Sequence, residues 1–152
     1  MAVKLKGAVL LGHSQSGSFP MTAALANPAG VKGMINVEGG CQNLSDQEIA
    51  KLVRIPFLVV FGDHLDVELF PGVTYLDTFN ECNALIARIN RKGGNAKMLH
   101  TASLGIRGNS HMLMHDKNSD QIADLIINWI NKNVKYRKND HWHDHYDHYA
   151  ER

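Results

Sequence analysis

The sequence of 152 residues lacks the features that mark several classes of protein. It has no excess of one charge, since 16 Lys and Arg residues face 15 Asp and Glu residues, and this balance argues against nucleic acid as a partner. No apolar run approaches the roughly 18 residues of a membrane-spanning helix, and the first residues carry no long apolar segment of a signal peptide. The two cysteines form no metal-binding motif. We therefore expect a globular domain whose partners include neither nucleic acid nor a membrane.

Apolar runs of strand length alternate with segments of helical periodicity along the chain. Strands are predicted at residues 3–11, 31–37, 55–61 and 96–101. Helices are predicted at residues 16–26, after a Ser45–Glu48 capping box, at residues 77–91, and after a cap at Asn118 or Ser119. Residues 67–76 are expected to form an irregular loop. The fold class that follows is α/β, a parallel sheet flanked by helices.

Residues 12–17, Gly-His-Ser-Gln-Ser-Gly, lie where the first strand turns into the first helix. Small residues around a serine at such a turn are typical of a nucleophile elbow, which exposes the serine hydroxyl at the carboxyl end of the sheet. Ser14 is the candidate nucleophile, and the backbone N–H of Gln15 is the candidate oxyanion-hole donor. Ser16 departs from the G-x-S-x-G pattern, but it is small enough for the turn. The alternative is an ordinary strand-to-helix turn with a capping serine.

Ionisable residues follow the ends of the predicted strands, where parallel sheets bind their ligands. A serine nucleophile needs a base to take its proton, and the base needs an acid to fix its tautomer. His111, in a loop rich in small residues, is the candidate base. Glu38, the only ionisable group at the end of the second strand, is the favoured acid, while Asp63 and Asp66 after the third strand are the alternatives. His13 is expected to pack beneath the elbow.

Four segments carry a resemblance to a known group of proteins: Gly-His-Ser-Gln-Ser-Gly (12–17), Val-Glu-Gly (37–39), Val-Val-Phe-Gly-Asp-His (59–64) and Gly-Ile-Arg-Gly-Asn-Ser-His-Met (105–112). From about residue 5 to residue 133 the chain resembles a small group of bacterial α/β-hydrolase esterases, in their C-terminal half only. The resemblance implies a serine hydrolase that cleaves a small-molecule carboxylic ester without a cofactor, through Ser14, Glu38 and His111. The commoner α/β-hydrolase arrangement would place the acid at Asp63 or Asp66. The resemblance also suggests a secreted or periplasmic protein.

The predicted nucleophile strand begins almost at Met1, whereas α/β-hydrolases normally have several strands before it. Residues 1–134 are therefore interpreted as a partial α/β-hydrolase domain without the loop that supplies the second oxyanion-hole N–H. Either the chain is a fragment, or a complementing N-terminal segment or a homodimer covers the open sheet edge. The alternative function is an inactive half-domain that acts as an assembly or binding module.

Residues 135–152 form a tail rich in histidine and aromatic residues. Its imidazoles are a candidate site for Zn²⁺, Ni²⁺ or Cu²⁺, and the alternative is a solvated, disordered terminus. The four histidines are His141, His143, His145 and His148. Cys41 and Cys82 are either buried thiols or one disulfide, and the resemblance to an exported family favours the disulfide.

Overall fold

The computed structural model describes residues 7–135 of the chain. Its parallel sheet contains β1 (Ala8–His13), β2 (Val31–Val37), β3 (Phe57–Phe61) and β6 (Ala96–His100), which lie side by side in that order. The predicted α/β class is therefore confirmed. The first strand ends at His13 and not at Leu11, while its predicted start at residues 3–6 and the tail from residue 136 lie outside the described residues.

Helices cover both faces of the sheet. On one face lie α1 (Phe19–Ala26), α2 (Asp46–Leu52) and α3 (Tyr75–Arg91), and on the other lies α4 (Ser119–Asn133). Because successive strand residues point to opposite faces, Phe57, Val59 and Phe61 pack against the first three helices. Leu58 and Val60 pack toward α4, whose predicted apolar stripe supplies the buried Ile122 and Trp129 and the partly buried Leu125, Ile126 and Ile130. The strand β3 is thus buried on both sides and reads as a continuous apolar run.

Side-chain caps set the starts of two helices. Ser45 and Glu48 form the predicted capping box of α2, in which the Ser45 Oγ accepts the Glu48 N–H and the Glu48 carboxylate accepts the Ser45 N–H. Thr74 and Asp77 form a second capping box. It starts α3 at Tyr75, two residues before the predicted start at residue 77.

The expectation of an irregular loop at residues 67–76 is wrong. Here β4 (Glu68–Phe70) and β5 (Val73–Thr74) form a short antiparallel hairpin. Pro71 and Gly72 make its two-residue turn, and Gly72 has a φ of +83°, which glycine adopts without strain. The first helix also begins later than predicted, because a 3₁₀ turn over Ser14–Ser16 precedes α1.

The disulfide favoured from the resemblance is present between Cys41 and Cys82. It joins the loop that follows β2 to the middle of α3, and Cys82 is fully buried. Among residues 7–135, no helix has the length and apolar character needed to cross a membrane.

Candidate active site

The turn at the end of β1 is backbone-strained and tightly packed. Ser14 has a φ of 56°, in the left-handed region that residues with a side chain rarely adopt. A Cβ on Gly12 would lie 2.1 Å from the carbonyl oxygen of Ser16, and a Cβ on Gly17 would lie 2.2 Å from Oδ1 of Asn36. Neither glycine therefore has room for a side chain, and Ser14 is held at the carboxyl end of the sheet.

Ser16, the residue that departs from the usual elbow pattern, closes the turn with its side chain. Its hydroxyl donates a hydrogen bond to the carbonyl oxygen of His13 at 2.8 Å and accepts one from the His13 N–H at 3.2 Å. The serine hydroxyl thus binds both main-chain groups of the residue that precedes Ser14. Gln15 lies between Ser14 and Ser16 in the same 3₁₀ turn. Its backbone N–H therefore directly follows the candidate nucleophile in the chain.

The imidazole of His111 lies between the candidate nucleophile and a carboxylate. Its Nε2 is 2.8 Å from Oγ of Ser14, although the two residues are 97 positions apart in the chain. Its Nδ1 is 3.5 Å from Oε2 of Glu38. This order of hydroxyl, imidazole and carboxylate is the arrangement in which a serine loses its proton to a base that an acid orients.

Glu38 is held at the end of β2 in a second left-handed conformation, with a φ of 53°. Its side chain is only 6% exposed, and its Oε1 accepts the N–H of Gly62. Gly62 has no room for a side chain, because an added Cβ would lie 2.8 Å from the carbonyl oxygen of Asn109 and 3.1 Å from Oε1 of Glu38. The end of β3 therefore approaches the carboxylate closely enough to donate a backbone hydrogen bond.

Burial dominates the electrostatics of this pair. It raises the pKa of Glu38 to about 7, against the Gly62 N–H, which lowers it, and with a smaller contribution from the charges of Asp116 and Asp63. Burial also lowers the pKa of His111, and the neighbouring His13 lowers it further. His111 is consequently neutral and able to accept a proton at a pH where an ordinary histidine is partly charged.

The alternative acids lie elsewhere. Asp63 accepts the N–H of Gly108 at 2.8 Å and the hydroxyl of Thr101 at 3.2 Å, so it anchors the loop that carries His111. Burial raises the pKa of Asp63, but these hydrogen bonds outweigh it and hold the pKa below its usual value. Asp66 is exposed. In the described part of the chain, the carboxylate within reach of the His111 ring is that of Glu38.

Three further residues at the site were not predicted as part of it. Asp116 accepts hydrogen bonds from the N–H and the hydroxyl of Ser110, next to His111. The ring centroid of Tyr75 is 5.0 Å from that of His111. His13 does not simply pack beneath the elbow, because its Nε2 is 2.8 Å from the carbonyl oxygen of His111. Only the Ser110-to-Asp116 spacing is local, so the other two contacts leave no pattern in the sequence.

No cluster of three potential metal ligands occurs among residues 7–135. The candidate ligands His141, His143, His145 and His148 lie outside the described residues.

A strained serine turn follows β1, a carboxylate follows the neighbouring β2, and a histidine lies in the loop after β6. This is the architecture of α/β-hydrolases, and the chain has this fold. It is similar to a bacterial esterase, with 41% sequence identity and a TM-score of 0.79 over 88% of this chain. The chain spans 41% of the length of that esterase. The resemblance found in the sequence to part of a bacterial α/β-hydrolase esterase is thereby confirmed.

More distant structures share the fold. A meta-cleavage product hydrolase variant aligns with 86% of this chain at 12% identity and a TM-score of 0.57, over 67% of its own length. An α/β-hydrolase from a lagoon-sediment metagenome aligns with 86% of this chain and 64% of its own at 14% identity and a TM-score of 0.51. No protein-family model and no curated protein matches the chain.

Proposed function

We propose that the chain carries the catalytic centre of a serine hydrolase that acts on carboxylic esters. The observation that carries this proposal is the position of the His111 imidazole, with Nε2 at 2.8 Å from the Ser14 hydroxyl and Nδ1 facing the Glu38 carboxylate. The similarity to a bacterial esterase supports the choice of an ester as the class of substrate.

In this proposal His111 acts first as a base and then as an acid. Its Nε2 takes the Ser14 proton while Oγ forms a bond to the ester carbonyl carbon, and the Gln15 N–H donates to the oxyanion. The imidazolium then protonates the departing alkoxide, which leaves an acyl group on Ser14. A water molecule, deprotonated by His111, releases the acid and restores the serine. Glu38 holds the Nδ1–H tautomer and stabilises the imidazolium in both halves.

Labelling with a fluorophosphonate tests the nucleophile. We expect the wild type to be labelled and Ser14→Ala to remain unlabelled. Ser103→Ala is a matched control, because the Ser103 hydroxyl also contacts a histidine, at 2.7 Å from Nδ1 of His100, but lies outside the strained turn. Labelling that persists in Ser14→Ala, or disappears equally in Ser103→Ala, would contradict the assignment.

A second candidate function is a half-domain that depends on another segment for activity. It is favoured by the chain spanning 41% of the related esterase and by the position of the nucleophile strand at the edge of the described sheet. An oxyanion hole that lacks one donor loses about 3–4 kcal/mol of transition-state stabilisation. A chain that is labelled at Ser14 and does not turn over a short p-nitrophenyl ester would support this second function. Turnover by the isolated chain would exclude it.

A further inference from the structure

The loop that carries His111 is tied to the rest of the molecule by hydrogen bonds on several sides. Asp63 binds it twice, through the Gly108 N–H to its carboxylate and through its own N–H to the Asn109 carbonyl oxygen at 3.0 Å. Ser110 binds Asp116 within the loop's own continuation. These contacts hold the loop to the end of β3 and to itself, but they do not hold it to the turn that carries Ser14.

The link to that turn comes from His13. Its Nε2 is 2.8 Å from the carbonyl oxygen of His111. Because a carbonyl oxygen only accepts, this ring nitrogen of His13 carries the hydrogen. Apart from the contact between Ser14 and His111 themselves, this is the hydrogen bond that joins residues 12–17 to residues 105–112 in the described structure. His13 directly precedes Ser14. Its bond to the His111 carbonyl oxygen therefore sets the separation between the backbone that carries the Ser14 hydroxyl and the backbone that carries the His111 imidazole.

The imidazole of His13 also faces the His111 ring, which takes up a positive charge in the proposed mechanism. The ring centroids of His13 and His111 are 4.9 Å apart, with Tyr75 at 5.0 Å from the His111 ring and Glu38 at its Nδ1. These are the titratable groups that face His111. A neutral His13 does not repel a positive charge on His111, whereas a protonated His13 repels that charge at short range.

We propose, on the basis of the serine-hydrolase function proposed above, that His13 is a positioning residue that sets the His111 imidazole against Ser14 through the His111 backbone. Two substitutions separate its hydrogen bond from its ring. His13→Gln keeps a neutral N–H donor of similar reach, and His13→Phe keeps a ring of similar size without a donor. In an activity assay we expect His13→Phe to lower kcat about 10-fold, the cost of one lost neutral hydrogen bond, with little change in KM. His13→Gln should restore most of kcat.

The imidazole titration of His111, followed by NMR, gives a readout that does not depend on turnover. Its signal is identified by its loss in His111→Asn. Removal of the His13 ring should raise the His111 titration midpoint in His13→Gln, because the positive charge that this ring can take up no longer opposes protonation of His111. Unchanged titration in this variant, wild-type kcat in His13→Phe, or equal loss of kcat in both variants would overturn the proposal.

Thermal unfolding of each variant controls for folding. If the wild type is neither labelled by the fluorophosphonate nor active, the hydrolase function fails, while a shifted His111 titration still supports the coupling between the two rings. If the wild type is active and His13→Phe is equally active, only the role of His13 fails.

Discussion

At the scale of single residues, Glu38 combines burial, a left-handed backbone and a carboxylate that faces a histidine. The left-handed backbone and the burial of a carboxylate are each costly in isolation. The Gly62 N–H and the nearby His111 offset part of the cost of burying the Glu38 charge. The Gly62 backbone can come this close to the carboxylate because Gly62 has no side chain. The proposed role of Glu38, to orient His111, would account for an arrangement that costs stability.

Amidation of the acid tests that role. We expect Glu38→Gln to lower kcat by up to about 10⁴-fold, the effect of amidating the acid of a Ser-His-Asp triad, because the amide no longer favours the correct tautomer of His111. The exposed Asp66 gives the matched control, and Asp66→Asn should retain kcat close to the wild-type value. Steady-state kinetics on a p-nitrophenyl ester measure both. Near-normal turnover in Glu38→Gln together with loss in Asp66→Asn would transfer the role to Asp66.

The raised pKa of Glu38 also predicts how stability changes with pH. Its pKa is about 7 in the folded chain and 4.5 for a free glutamate, so between these values the folded state holds a proton that the unfolded state has released. The free energy of unfolding should therefore fall as the pH rises through this window, by about 3 kcal/mol. Urea unfolding at pH 4.5 and pH 7.5 measures it, and Glu38→Gln should lack this part of the fall.

Ser14→Ala is the control for that measurement, because it changes the same site without removing a carboxyl group. Its difference in stability from the wild type should be the same at both pH values. A constant difference between Glu38→Gln and the wild type would show that Glu38 does not titrate in this range.

Some residues of the candidate site could be predicted from the sequence, and others could not. Ser14, Glu38 and His111 were predicted because each follows a strand or lies in a small-residue loop, and parallel strand ends meet at one edge. The contact of His13 with the His111 carbonyl joins positions 98 apart and involves no motif, so only the folded chain brings it out.

At the scale of elements, the disulfide connects the two segments on either side of Glu38. Cys41 lies three residues after Glu38, and Cys82 lies on α3, whose first residue, Tyr75, contacts His111. The bridge closes a long loop across the sequence separation of 41 residues. It thereby restricts the unfolded chain and keeps the turn after β2 against α3.

Removal of the disulfide should lower stability substantially. For a loop of this length we expect the Cys41→Ala/Cys82→Ala variant to lose about 4 kcal/mol of unfolding free energy, with a Tm lower by about 10 °C. Thermal unfolding followed by circular dichroism measures the change. Dithiothreitol should lower the Tm of the wild type and leave that of the variant unchanged, and an equal response of both proteins would show that the bond does not stabilise the fold.

Element types were predicted better than their limits. The buried strands were recognisable because they are apolar on both sides, and α2 because Ser45 and Glu48 form a familiar capping box. The start of α3 was misplaced because its box uses Asp77, one carbon shorter than the usual glutamate. The hairpin at Pro71 and Gly72 was missed because its strands have three and two residues, too few to show an alternating pattern.

At the scale of the whole molecule, β1 forms one edge of the described sheet and lies beside exposed apolar side chains. In the described structure β1 pairs with β2 alone, which leaves one side of the strand before Ser14 without a partner. Leu11 on this strand is 57% exposed, and Phe19 at the start of α1 is 62% exposed. The sequence indicated this edge only through the resemblance, because an isolated strand pattern does not reveal which neighbours it has.

An unpaired strand edge beside exposed apolar side chains favours association with another chain. We therefore expect the isolated protein to sediment faster as its concentration rises, and Leu11→Thr/Phe19→Gln to reduce that dependence, because both changes remove apolar surface near β1. Ile127→Gln is the matched control, since Ile127 is a comparably exposed apolar residue, at 51%, but lies on α4. Sedimentation velocity over a concentration series measures this dependence for the wild type, the double variant and the control. Association that weakens equally in the control would place the contact elsewhere, and a wild type that stays monomeric would mean that β1 tolerates water along its free side.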